Sequence, residues 1–177
     1  MTDLPFAEFR HRVLVSRERV KFADADPYGH LASGAYLDMI MSHRVEVLDD
    51  LVGFSIMRYA SYGVAFPARH VELTYLRPAF VGETLELASW IESLGTSSFE
   101  VRAVVAGASD RKARTVAKVH FVTVDSRSGK PVPVPEALPS VTTTNPLETL
   151  PVLASYLETV TGLPEGWVSS QRAMSPA

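Results

Sequence analysis

Within the segment Asp24-Ala25-Asp26-Pro27-Tyr28-Gly29-His30 the chain gathers two carboxylates and an imidazole, and Ser33, Gly34 and Tyr36 follow closely. A carboxylate can take a proton from water or attack a carbonyl carbon. An imidazole that titrates near neutrality can set that carboxylate's protonation or donate to the carbonyl oxygen. Proline fixes φ and glycine admits backbone that other residues avoid, so the chain must bend here. Asp26, two residues beyond a strand and just ahead of a helix, can face a pocket without being swallowed by the core. The helix that follows leaves its first N–H groups without intrahelical acceptors and carries partial positive charge at that end, so a carbonyl oxygen docked there would be polarised. The plainer reading is that an Asp before Pro in such a bend caps neighbouring N–H groups. Asp24 is assigned to the turn, and His30 taken alone would be a satisfied structural histidine.

The elements that must position these residues follow from hydrophobic spacing. Val13 to Phe22 is rich in β-branched residues and reads as a first strand, with Arg17, Glu18 and Arg19 spoiling its alternation as at a sheet edge. From Ser33 or Gly34 to about Leu51, the residues Tyr36, Met39, Ile40, His43, Val47, Leu48 and Leu51 recur at three- and four-residue steps, one face of a helix. Ala65 to Asp125 then changes to period two. Val71, Leu73 and Tyr75 share a face, the chain breaks at Arg77-Pro78 and turns near Gly82, and strands follow through Leu85, Leu87 and Ile91, through Phe99 to Val105, and through Val116 to Val124. Turns at Leu94-Gly95-Thr96 and Gly107 to Lys112 have hairpin spacing, which predicts an antiparallel meander plus the early strand. Asp125 to Lys130 closes the sheet, and Pro131, Pro133 and Pro135 forbid a further central strand. The expected organisation is a lead over 1–12, a domain over 13–138, and an extension over 139–177 with a short helix from Pro146 to Thr161 and a frayed end. One long helix and about five antiparallel strands make an α+β fold in which the sheet curls around the helix. An uncovered face and edge imply at least a dimer.

Composition excludes several function classes. The 177 residues are 46% hydrophobic, enough for one compact domain, and 17 basic against 20 acidic residues give a net charge of -3 with no broad basic surface for nucleic acid. The absence of cysteine removes disulfides, thiolate metal sites and a cysteine nucleophile. The charged start MTDLPFAEFRHRV has no signal-peptide core, and no run approaches the roughly 20 apolar residues of a membrane span. A cytoplasmic protein without membrane or nucleic-acid partners is expected.

The stretch Phe22-Ala23-Asp24-Ala25-Asp26-Pro27-Tyr28-Gly29-His30 with Tyr36 and Arg44 resembles the opening motif of the 4-hydroxybenzoyl-CoA thioesterase-like family of hotdog proteins. The likeness continues through Tyr75-Leu76-Arg77-Pro78, Gly82-Glu83, Gly95 to Ser98, Val122 to Asp125 and Gly129 to Pro133, so it covers roughly Val13 to Leu138. The resemblance implies a hotdog fold and a thioester hydrolase acting on acyl-CoA or an acyl-carrier thioester as a homodimer or homotetramer, with no cofactor. It implies Asp26 as base or nucleophile, His30 and Ser33 beside it in catalysis, and Gly29, Gly34, Tyr36 and Arg77 in substrate binding. Gly29 and Ser33 would donate through their backbones. Two departures stand out. Many relatives have asparagines where this chain has Ala32 and Ser33, and the Leu94 to Ser98 turn, basic in the enzymes that name the family, is Gly-Thr-Ser here. Phosphate would then fall to Arg69, Arg77 or Arg102, or the acyl carrier is not CoA.

The remaining candidates carry plainer roles. His43 and His120 read as core or interface residues whose spacing suggests no metal site. Glu46 reads as a solvated or interface charge, although some hotdog enzymes place a catalytic glutamate on this helix. Asp110-Arg111-Lys112 reads as a hairpin tip. Met39, Met41, Phe54 and Met57 read as packing before they read as walls of an acyl channel. Two rival functions remain open: a hydratase or dehydratase using Asp24 or Asp26 with His30, and a non-catalytic module that binds an acyl thioester or serves in assembly.

Overall fold

The computed structural model describes residues 13–52, 60, 63–134, 157–165 and 167. Strand β1 (Leu14–Arg19) runs into a single 3-10 turn at Phe22–Asp24, and helix α1 (Ser33–Val52) follows. Then come β2 (Val64–Ala65), β3 (Ala68–Tyr75), β4 (Thr84–Leu94), β5 (Ser98–Gly107), β6 (Ala113–Val122) and β7 (Val124–Asp125). Five strands form one antiparallel sheet in the order β1-β4-β5-β6-β3, and β2 pairs with β7 in a small separate ribbon.

The meander expectation needs one correction. β4, β5 and β6 are consecutive hairpin neighbours, but β3 pairs with β6 at the far edge and not with β4. The chain between β3 and β4 therefore crosses the sheet. Leu76 and Arg77 both donate to the Arg114 carbonyl, and Pro78 then directs the chain towards the Asp26 turn. There Leu31 donates to the Ala79 carbonyl and Val81 to the Gly29 carbonyl, while Val20 donates to the Glu83 carbonyl and Gly82 to that of Val20. This crossing strand of chain, residues 79–83, is the floor against which the candidate turn is fixed.

Side-chain alternation divides the core by face. Leu85 and Leu87 of β4, Ala103 and Val105 of β5 and Ala117 of β6 pack with Tyr36 and Ile40 of α1. Further along, Ile91, Val101, Val119 and Phe121 pack with Val47. Register shifts at Ile91/Ser93, Val105/Ala106 and Ala68/His70 add local twist, which lets the sheet curl around the helix. Between the two apolar clusters lies a polar layer. His43 and Arg44 are buried there, with Ser16 and Ser89 bonded to the imidazole and Ser89 also accepting from Arg44.

The outer face is covered as well. Trp90, Val104, Ala106, Ala113 and Val116 pack with Leu157, Val160 and Trp167 from beyond the sheet. That cover explains why β4, β5 and β6 are buried on both faces and read as near-continuous apolar runs. Of the helix expected over Pro146 to Thr161, Leu157 to Thr159 are helical, and residues 146–156 lie outside the described residues. Phe54 and Met57 also lie outside them. Among the described residues, no helix is long and apolar enough to cross a membrane.

Candidate active site

Asp26-Pro27-Tyr28-Gly29 forms a tight turn closed by the Gly29 N–H on the Asp26 carbonyl at 3.0 Å, with Gly29 at φ +79°. That backbone region favours glycine. The Asp26 carboxylate splits its work. Oδ1 accepts from the Tyr28 N–H at 2.9 Å and the His30 N–H at 3.0 Å, while Oδ2 accepts no hydrogen bond among the described residues. Oδ2 faces His30 Nδ1 at 3.9 Å, and the carboxylate side chain is 31% exposed. One oxygen locks the turn and the other stays reachable.

His30 is held from both ends. Its amide lies on Asp26, the Asp26 N–H returns to the His30 carbonyl at 2.7 Å, and its ring meets Phe80 edge-on with centroids 5.0 Å apart. Directly beyond, the Ala32 N–H donates to the Asp24 carbonyl at 2.9 Å, and α1 begins. Ala32 has no side-chain oxygen with which to cap the helix. No described residue accepts from the Ser33 or Gly34 N–H, and Ala35 turns back onto the Ala32 carbonyl. Two amide donors therefore stand open at the exposed start of α1, a few residues from the Asp26 carboxylate.

The other expected site residues divide. Ser33 and Gly34 lie where the sequence placed them, at the first turn. The Gly29 N–H is engaged within its turn, so the expectation that it donates to substrate is corrected. What Gly29 offers is open space, since no atom lies within 4 Å of where a Cβ would be. Tyr36 is buried, its hydroxyl accepts from the Ala79 N–H at 3.2 Å, and burial raises the phenol's pKa, so it holds the crossing chain rather than presenting a group to solvent. Arg77 donates to the Ala113 carbonyl, and its guanidinium lies against Gly162 of the outer segment. Arg102 is likewise on the outer face, paired with Glu92 at 3.3 Å and stacked over Trp167. Arg69 is exposed on β3. Glu46 is exposed, 13 residues along α1 from Ser33, which is about 20 Å of helix rise. Met39 and Met41 pack against the two inner clusters.

Two residues around the turn were given no role in the sequence. Phe80 follows the Pro78 break and supports the imidazole. Tyr75 alternates with Val71 and Leu73 as if buried, yet is half-exposed and donates its hydroxyl to the Ser33 carbonyl at 2.8 Å. Arg44, four residues after Ile40 on the same helix face, is buried. Its guanidinium donates to Ser89 in the polar layer of the core. Among the described residues no group of three His, Asp or Glu side chains is placed to hold a metal.

The sequence model of the thioesterase-like superfamily matches residues 20–141. Among solved structures, a 1,4-dihydroxy-2-naphthoyl-CoA thioesterase from Synechocystis is 21% identical, with a TM-score of 0.67 over 71% of this chain and 92% of that one. A probable thioesterase from Bartonella henselae is 27% identical, with a TM-score of 0.63 over 70% and 100%. The probable thioesterase YbaW from Escherichia coli is 19% identical, with a TM-score of 0.61 over 84% and 99%. No curated protein sequence matches the chain.

Proposed function

The chain belongs to the thioesterase-like superfamily of hotdog proteins and is accordingly a thioester hydrolase, and from that premise we propose that Asp26 and the first amides of α1 are its catalytic apparatus. The observation that carries this reading is the division of the Asp26 carboxylate. Oδ1 is fixed by two N–H groups, Oδ2 is left for a water or an acyl carbon, and, a few residues on, the chain presents two uncommitted helix amides.

The chemistry follows from that arrangement. Oδ2 takes a proton from water as the water oxygen bonds to the thioester carbonyl carbon, and the C=O π electrons move onto oxygen. The Ser33 and Gly34 N–H groups meet that developing charge, aided by the positive end of α1. Collapse restores C=O and breaks C–S, and the departing sulfur takes the proton from Asp26. The products are a carboxylic acid and a free thiol. In the nucleophile version, Oδ2 itself bonds the acyl carbon and expels the thiolate, and water then opens the mixed anhydride. His30, between Phe80 and the carboxylate, positions Oδ2 and donates to the carbonyl region. The acyl donor we propose is acyl-CoA or an acyl-carrier thioester.

A second copy of the chain completes the pocket in this reading. Phe22 and Tyr28 are 86% and 84% exposed, Phe80 and Val81 are also exposed, and the outer edge of β3 is unpaired among the described residues. Such a rim and edge are what a partner would cover.

The test is Asp26→Asn assayed by thiol release on a panel of aromatic and aliphatic acyl-CoA substrates. The variant should fold, run as a dimer or larger by light scattering, and lose at least about 100-fold in kcat. Wild-type turnover in Asp26→Asn would overturn the assignment. A single turnover in ¹⁸O-labelled water that leaves label in Asp26 establishes the nucleophile version with water attacking the aspartyl carbonyl, and trapping of an acylated Asp26 tests that version where water attacks the acyl carbonyl instead.

A further inference from the structure

We propose that Tyr75 is a positioning residue of this site, acting on the amide donors through the carbonyl of Ser33; the inference rests on the reading of α1 just given. The Tyr75 hydroxyl donates to the Ser33 carbonyl oxygen at 2.8 Å. That oxygen and the Gly34 N–H belong to one peptide unit. Donation to the oxygen draws electron density away from the nitrogen, so the Gly34 N–H becomes a stronger donor, as in any chain of hydrogen bonds. The same bond fixes the plane of that peptide, and with it the direction in which the N–H points.

The surroundings fit such a role. Tyr75 ends β3 and its ring packs edge-on against Tyr36, with centroids 5.6 Å apart and planes at 65°. Tyr36 in turn holds the Ala79 N–H, so both tyrosines tie the first turn of α1 to the rigid sheet and to the crossing chain. A carbonyl has two lone pairs, so the Ser33 oxygen can serve the phenol and the helix together. Tyr75 is 48% exposed, and water competes for both partners of its bond. The hydroxyl therefore contributes little to folding, and its value lies in what it does to the peptide it touches.

The experiment compares the full-length wild type, Tyr75→Phe and a variant carrying 3-fluorotyrosine at position 75, a stronger donor, at a pH where the phenol is protonated. Tyr75→Phe keeps the ring contact. Its kcat should fall about 3- to 10-fold, with KM and the urea midpoint unchanged. The fluorinated variant should exceed the wild type in kcat. A purely structural tyrosine would not give rates that follow phenol acidity. Wild-type kcat in Tyr75→Phe, a change confined to KM, or equal rates for tyrosine and fluorotyrosine would each overturn the proposal. If Asp26→Asn is inert while Tyr75→Phe is unaffected, only this inference falls. If Asp26→Asn is fully active, the site reading falls and takes this one with it.

Discussion

Acidification should weaken the fold between pH 6.5 and pH 4.5, and His43 is the residue that makes it do so. The imidazole is 3% exposed on the inner face of α1. Nδ1 lies 2.6 Å from Ser16 Oγ and Nε2 lies 3.0 Å from Ser89 Oγ, while the Arg44 guanidinium donates to that same Ser89 oxygen at 3.1 Å. No carboxylate pairs with the imidazole or the guanidinium among the described residues. Burial first and the Arg44 charge second push the His43 pKa from 6.5 down to about 4. Burial likewise pushes Arg44 down to about 10, so at neutral pH it stays a cation beside a neutral imidazole. Because the folded value is the lower one, the unfolded chain binds the proton first. The stabilisation is complete above pH 6.5 and is lost as pH falls towards 4. With those two values the loss from pH 7 to pH 4.5 is about 2.5 kcal/mol. Urea unfolding followed by fluorescence of buried Trp90 and Trp167 measures it. His43→Gln keeps a neutral hydrogen-bonding side chain and removes the titration. It should cost about 1 kcal/mol at pH 7 and flatten the slope through this window. The Glu86 carboxyl titrates lower: burial raises it, but Arg111 and Arg17 more than offset that, so its contribution is lost in more acid solution. Equal slopes for wild type and His43→Gln would refute the assignment.

The outer cover offers two further checks. Trp167 meets Trp90 edge-on, with centroids 6.1 Å apart and Arg102 over its ring, so Trp167→Ala should destabilise the protein by about 3 kcal/mol in urea unfolding. Arg111 has φ 55°, a strained value for a side-chain-bearing residue, and its guanidinium bonds Glu86 and Thr159. Arg111→Gly and Arg111→Ala lose the same contacts, so the glycine variant should be the more stable by about 1 kcal/mol in the same assay.

How much of this was legible in the sequence depended on whether the signal was periodic. The helix begins at Ser33 as its three- and four-residue steps require, and the strands through Leu85, Val101 and Val119 fall where alternation put them. Strand order was not legible. Alternation says which residues share a face but not which strand is the neighbour, so the pairing of β3 with β6 emerged only from the crossing chain at residues 76–83. The direction of the Arg77 side chain was not legible for a related reason, because it is set by Ala113 and Gly162, which are remote in sequence. The turn at Asp26 and the helix start at Ser33 and Gly34 were legible because turn chemistry and helix starts are local. Tyr75 and Phe80 were not, since what gives them a role is a contact across more than 40 residues.

Asp26 was open to two readings, a carboxylate that caps its own turn or a group that acts on substrate, and the capping geometry is compatible with both. A free aspartate samples several rotamers, and a base that must meet a water within hydrogen-bond reach loses rate in each wrong one. Here the Tyr28 and His30 amides immobilise Oδ1, which fixes where Oδ2 lies without consuming it. The Ala32 N–H on the Asp24 carbonyl sets the same turn against the start of α1, and the uncapped Ala32 leaves the first amides free. A serine or asparagine at position 32 would cap those amides and stabilise the helix by about 1 kcal/mol, while competing for the donors that the carbonyl oxygen needs. The missing cap is thus a local cost that the turn's other bonds offset, and it leaves the first amides of α1 open for the role proposed for them.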